Sequence, residues 1–294
     1  MRVFVTGATG FVGSAIVKEL LGEGHQVLGL ARSDAGAKSL TDAGAQVHRG
    51  DLDDLEGLRT GASRSDGVIH TAFRHDWSKF AESSEMDKRA IEALGSELRG
   101  SDRPLLVTGG LAVVAQGRAA TEDDPPFPVS ASYPRASEAT AAALSAGGVS
   151  ASVVRVPQVH DPVKQGLITY LVALAREKGV SAYVGEGLNR WAAVHVLDAA
   201  RLYRLALENH EAGARYHAVA EEGVPLREIA EVIGRGLKVP VVAMSQEKAD
   251  AHFGFLARFT GMDLRGSSAK TQERLNWRPT GPQLIADLEQ LRYS

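Results

Sequence analysis

The chain has 294 residues, 44% of them hydrophobic, and a formal net charge of −3, so it is long enough to bury a full core as one large α/β domain plus a smaller lobe. Acidic and basic residues are interleaved with no basic face, which speaks against nucleic acid or an anionic membrane as partner. Cysteine is absent, which excludes disulfides, cysteine–zinc sites and thiol nucleophiles, and no apolar run approaches the roughly 18 residues of a membrane span.

Arg2 to Thr6 reads as a short buried strand, and glycines at Gly7, Gly10 and Gly13 follow where a helix should begin. Each has its own steric task. Gly7 permits the tight turn off the strand, Gly10 lets backbone approach a pyrophosphate without a Cβ in the way, and Gly13 lets helix and strand pack closely. The helix continues through Ala15-Ile16-Val17 and Leu20-Leu21 at helical spacing, offering its N-terminal N–H groups and positive dipole end to phosphates. The pattern therefore predicts a dinucleotide site, against the plainer reading of a strand–turn–helix.

His25 to Ala31 reads as a second buried strand, with Arg32-Ser33-Asp34 at its carboxyl end, the position that faces the adenosine ribose. A carboxylate there suits the two ribose hydroxyls of NAD; an arginine beside a hydroxyl suits the 2′-phosphate of NADP. Arg32 and Ser33 thus favour NADP(H), with a solvated arginine as the bland alternative and Asp34 as the complicating neighbour. Ala45 to Arg49 is a third strand, ended by Gly50-Asp51-Leu52-Asp53, where Asp51 and Leu52 would meet the adenine or Asp51 would cap the helix beginning near Asp54. Gly67 to Phe73 is a fourth strand and its exit loop; Thr71 and Ala72 are small enough for a cofactor to pass. His70, with apolar neighbours, reads as a hydrogen-bonded core residue.

This succession of βα units resembles the short-chain dehydrogenase/reductase superfamily in its extended and atypical branches, which include NAD(P)-dependent epimerases and dehydratases. The resemblance covers nearly the whole chain. It rests on Thr6-Gly-Ala-Thr9-Gly-Phe11-Val12-Gly13, Asp51-Leu52, His70-Thr-Ala72, Arg155-Val-Pro-Gln-Val-His160, Arg190 with Val194-His-Val-Leu-Asp198, and Leu275-Asn-Trp-Arg-Pro279. It implies a Rossmann-type doubly wound parallel sheet over residues 1–160 with a return segment near 191–220, and a smaller C-terminal α/β substrate lobe from 161–190 and 221–294. It also implies a small-molecule substrate and, from two helices that pack across a dimer in relatives, a homodimer.

The superfamily's site uses a tyrosine acid/base, a lysine four residues on, a serine or threonine after the fifth strand and often an asparagine in the preceding helix. The lysine cation depresses a phenol pKa otherwise near about 10. Here Asp87, on a helix from Phe80 to Gly100, falls at the asparagine position, to hold a water or to lie exposed. Leu105 to Thr108 is the fifth strand. The stretch Gly109-Gly-Leu-Ala112 then carries no hydroxyl, which leaves Thr108 as the candidate, catalytic or lining the nicotinamide pocket. Tyr133-Pro-Arg-Ala-Ser137 supplies a tyrosine, either the acid/base or an aromatic at a helix start packed on the proline-rich loop, but puts Ser137 at the lysine position. Aligning Glu138 with the superfamily's later glutamate puts Ser130 and Pro134 there instead. Neither register supplies lysine; Arg135 would replace part of its positive charge, but on a helix of about 3.6 residues per turn it would point about 200° away from Ser137.

Ser150 to Val156 is the sixth strand; Pro157 and Val159 resemble the turn beside the nicotinamide, and His160 would stand at the mouth of the site. Gly166 to Lys178 is an amphipathic helix, Asn189-Arg190-Trp191 would line the substrate pocket, His195 reads as structural, and Asp198 would cap the helix through Leu202, Leu205 and Ala206. A strand at Ala214 to Ala218, a helix at Leu226 to Leu237, and the rest, with Trp277 and Pro279, would complete the smaller lobe. Pro125 to Pro128, after Glu122-Asp-Asp124, is a stiff candidate flap. The histidines show no metal-ligand spacing. The reading is a cytoplasmic NADP(H)-dependent oxidoreductase moving hydride to or from a small carbonyl or alcohol. Its rivals are a sugar-nucleotide epimerase or dehydratase, and an NADP-sensing protein without catalysis.

Overall fold

The computed structural model describes residues 1–111, 115 and 117–293. Seven strands form one all-parallel sheet: β1 (Arg2–Thr6), β2 (Gln26–Ala31), β3 (Gln46–Arg49), β4 (Gly67–His70), β5 (Leu105–Gly110), β6 (Ala151–Val156) and a last strand, Arg215–His217, in the order Arg215–His217, β6, β5, β4, β1, β2, β3. Parallel strands are covered on both faces, so their sequences read as apolar runs, and successive side chains serve opposite layers. Val3 and Val5 join the core on one face and Phe4 joins the other; Ile69 and Val68 divide in the same way. Helices α1 (Phe11–Gly22) and α2 (Asp34–Asp42) share the first face with Val196–Glu208, whereas α3 (Leu55–Ser63), α4 (Phe80–Leu98) and α5 (Ser137–Ala146) cover the second. This is the doubly wound Rossmann-type fold that the sequence predicts. The order reverses at β1, which lies between β4 and β2, and this is where such sheets open a crevice at their carboxyl ends.

Beyond the seven-stranded sheet the chain holds more strand than the sequence leads one to expect. β7 (Gln158–His160) and a later strand, Arg190–His195, run parallel, and Glu221–Pro225 joins the latter antiparallel; β8 (Ser181–Val184) pairs in parallel with Val241–Met244. All of these strands but β7 contribute to a second core in which α6 (Ile168–Lys178) and the helix Leu226–Leu237 bury Leu171, Val172, Ile229 and Ile233 around Trp191. Trp277 departs from expectation. It is fully buried in the main sheet's core beside Leu275, not in the smaller lobe, and its indole N–H donates to the carbonyl of Asp198 at 3.1 Å.

Candidate functional site

A cavity of about 970 Å³ runs along the carboxyl ends of the parallel strands and into the smaller lobe. Its first end is made of backbone. Gly7 adopts φ +69°, and a Cβ on Gly13 would stand 2.1 Å from the Gly7 carbonyl oxygen, so helix α1 meets the turn as closely as only glycine permits. Helix α1 starts with Gly10 as its cap and no side-chain hydrogen bond there, leaving its first N–H groups for a ligand. Thr9, Phe11 and Val12 complete this wall; Arg32, Asp51 and Leu52 follow, then Thr71, Ala72, Thr108, Pro157 and Val159. The fold thus brings together all but one of the sequence's cofactor candidates. The exception is Ser33, whose hydroxyl accepts the Gly36 N–H at 3.1 Å as the cap of α2. Asp34 is engaged by Arg49, whereas the exposed Arg32 has no hydrogen-bond or ion-pair partner among the described residues. The helix-capping alternative for Asp51 belongs to Asp54, which accepts the Gly57 N–H at 2.9 Å. These residues fit a dinucleotide: a turn whose glycines leave no room for Cβ atoms, a helix terminus for phosphate and a guanidinium just past the carboxyl end of β2.

The other end is lined by side chains, and behind Arg135 lies a buried network. His70 Nδ1 lies 2.8 Å from Thr6 Oγ1 and its Nε2 lies 3.0 Å from Asp87 Oδ1, while the Ser137 hydroxyl donates to Asp87 Oδ2 at 2.5 Å. Arg135 Nε donates to Ser137 Oγ at 3.0 Å, a second nitrogen donates to the Thr108 carbonyl at 3.3 Å, and the guanidinium lies 4.5 Å above the Phe73 ring. Burial alone would raise the Asp87 pKa; the hydrogen bonds and charges of His70, Arg135 and Ser137 outweigh it, so the carboxyl sits below its ordinary value. Tyr133 lines the cavity from the loop before α5, its ring against Phe127 at 5.0 Å and Phe80 at 6.5 Å. Burial pushes its phenol above the ordinary value, against the nearby charge of Arg135.

A sequence model described as the NAD dependent epimerase/dehydratase family matches residues 3–220. The chain belongs to that family. Among relatives of this family member, an uncharacterized protein of Schizosaccharomyces pombe is 47% identical over 98% of both chains, and one of Saccharomyces cerevisiae is 43% identical over 98% of both. Among solved structures, a Thermus thermophilus UDP-glucose 4-epimerase in complex with NAD superposes with a TM-score of 0.77 over 100% of this chain and 99% of the other, at 22% identity, which establishes the shared fold.

Within this member of an enzyme family, several catalytic-end expectations are corrected. Asp87 is neither exposed nor in the cavity wall; it is buried and both its oxygens are occupied, so it anchors Ser137 and His70 instead of holding a substrate water. Arg135 does not point away from Ser137. Helix α5 begins only at Ser137, so helical geometry does not apply to Arg135, and its guanidinium turns back onto that hydroxyl. Thr108 lines the cavity, but its hydroxyl donates to the His70 carbonyl at 2.8 Å and lies 2.7 Å from the Tyr203 phenol. In the alternative register, Ser130 is exposed and bonded to Ser132, away from the cavity wall. Glu138 is bound by the buried Arg155 at 2.5 and 3.0 Å, joining α5 to β6. Ala112 lies outside the described residues.

Three more expectations shift. His160 is fully buried, bonded to Asp287 at 2.7 Å, and not at the mouth of the site. His195, not Asp198, caps the helix Val196–Glu208; the Asp198 carboxylate instead receives the N–H groups of Thr280 and Gly281 at 3.1 and 2.7 Å. Of Asn189, Arg190 and Trp191, only Trp191 lines the cavity; Asn189 donates to the carbonyls of Thr260 and Met262. Sequence reasoning misses an aromatic wall that includes Trp77, Phe80 and Tyr170. Phe73, Trp77 and Phe80, spaced four and three residues apart just where α4 begins, carry the signal.

Proposed function

We propose that the protein is an NADP(H)-dependent oxidoreductase of the extended or atypical short-chain type, acting on a small carbonyl substrate. The observation that carries this reading is one continuous cavity joining the glycine turn and Arg32 to Tyr133 and Arg135. The cofactor, when bound against Gly7 to Gly13 and Arg32, supplies the hydride. At the other end Tyr133 gives its hydroxyl proton to the substrate oxygen as that oxygen gains charge, and the Arg135 guanidinium stabilises the phenolate left behind. Arg135 so takes the place of the missing lysine, with Ser137 and Asp87 orienting it. Unlike a lysine-paired tyrosine, a phenol held above its ordinary pKa of 10.0 is protonated throughout the neutral range. It serves reduction better than oxidation.

The test is NADPH consumption against aldehydes, ketones and imines, beside Tyr133→Phe. We expect turnover to be lost in the variant with NADPH binding retained. Reduction should show no titration from Tyr133 between about pH 6 and about pH 9, whereas the reverse oxidation should rise about tenfold per pH unit as phenolate accumulates. Unchanged turnover in Tyr133→Phe assigns the proton to another group. Tight NADPH binding without any turnover favours a non-catalytic sensor. The family match supports a sugar-nucleotide epimerase or dehydratase as second reading; the scarcity of free cations among the described cavity residues weighs against it.

A further inference from the structure

The substrate end of the cavity is walled by rings in mutual contact. Tyr170 meets Phe255 edge-on at 5.5 Å, Phe255 stacks on Trp77 at 5.2 Å with 19° between planes, and Trp77 stacks on Phe80 at 5.5 Å and 29°. Phe80 then meets Tyr133 at 6.5 Å. The rings come from the loop leading into α4, the loop before α5 and the smaller lobe, in a chain only 6% aromatic. An ordinary core does not account for them. Phe255 is 41% exposed, and the other four line the cavity.

Two further observations bear on what this wall receives. The indole N–H groups of Trp77 and Trp191 are buried and have no hydrogen-bond partner among the described residues, and both side chains line the cavity. Buried donors are rarely left so; Trp191 is fully enclosed, and it is Trp77, part of whose surface stays open, that a ligand acceptor would satisfy. The charge inventory is equally informative. Arg135 is bound to Ser137 and the Thr108 carbonyl, and Arg74 lies within 3.9 Å of both Asp51 and Asp53. Among the described residues, Lys164 is the cavity cation left at this end without an ion pair, and Asp76 adds a negative charge. A diphosphate would find one lysine where it needs several charge-assisted donors.

We propose that this end takes a flat, uncharged aromatic aldehyde or ketone, its ring against the Trp77–Phe80 wall and a polar substituent accepting from an indole N–H. The assignment names the substrate class of the hydride-transfer site above and rests on that reading for its chemistry. Stacking on such a wall favours a flat ring over a saturated one of equal carbon count by on the order of tenfold.

The test uses the full chain saturated with NADP and two unreactive probes, benzamide and cyclohexanecarboxamide, titrated by calorimetry, with NADPH-dependent reduction of benzaldehyde and cyclohexanecarbaldehyde measured in parallel. We expect benzamide to bind about tenfold more tightly, the ratio to fall toward one in Trp77→Leu, which keeps an apolar side chain but no ring, and UDP-glucose not to bind. Equal affinities, no binding of either amide, or UDP-glucose binding more tightly than both overturns the assignment. Discrimination between the amides without reduction of either aldehyde upholds the aromatic site and removes the hydride-transfer reading. Reduction of both aldehydes with equal amide affinities does the reverse.

Discussion

The two ends of the cavity are built differently. At the glycine-turn end the wall is the backbone of one short segment, Gly7 to Gly13, where an added Cβ on Gly13 would collide with the turn itself and one on Gly7 with Thr71 and Ala72. At the other end the wall is made of side chains such as Tyr133 and Arg135, and Arg135 is tied to a buried network of Ser137, Asp87, His70 and Thr6 behind it. A backbone cradle tolerates almost no substitution but is spelled out locally. A side-chain network draws its members from several elements, so no short window of sequence spells it out.

Gly13→Val should have the largest effect. Its Cβ would stand 2.1 Å from the Gly7 carbonyl oxygen and 2.7 Å from the carbonyl carbon, so the turn must move. We expect a loss of about 2–3 kcal/mol in denaturant unfolding and no measurable NADPH binding by calorimetry. Retained binding would show that the cradle is less rigid than the contrast requires. Arg135→Ala comes next: kcat/KM should fall by on the order of 100-fold while NADPH affinity changes little, because the substitution removes charge at the catalytic end and leaves the cradle intact. A parallel loss of NADPH affinity would make the two ends one unit. Arg32→Ala should be mildest, weakening NADPH about tenfold in a fluorescence titration and leaving NADH unchanged. Equal weakening of both nucleotides would remove the 2′-phosphate role from Arg32.

The legible features share a physical basis. Strand β1, the glycine turn and α1 follow from alternation, steric permission and helical spacing within a few residues of one another, and the apolar strand runs report a sheet covered on both faces. The strands Ser181–Val184 and Val241–Met244 escape the sequence reading because each is four residues long and pairs across a sequence gap that no local pattern reports. Trp277 reads as part of the lobe nearer in sequence, while its burial depends on the helix Val196–Glu208 already lying against the main sheet. Asp87 reads as exposed or water-holding because both of its partners, His70 and Ser137, come from other elements.

Read alone, the sequence determined the Rossmann-type sheet, the glycine turn into α1 and the absence of lysine after Tyr133, since each depends on residue type within a short window. Tertiary structure alone decided where the Arg135 charge lies. Helix α5 starts at Ser137, two residues after Arg135, and that late start swings the guanidinium back onto the Ser137 hydroxyl and the Phe73 ring. It likewise decided the aromatic wall, because ring–ring contact between Trp77 and Phe255 joins segments far apart in the chain that only the packing of the smaller lobe against the sheet brings within 5.2 Å.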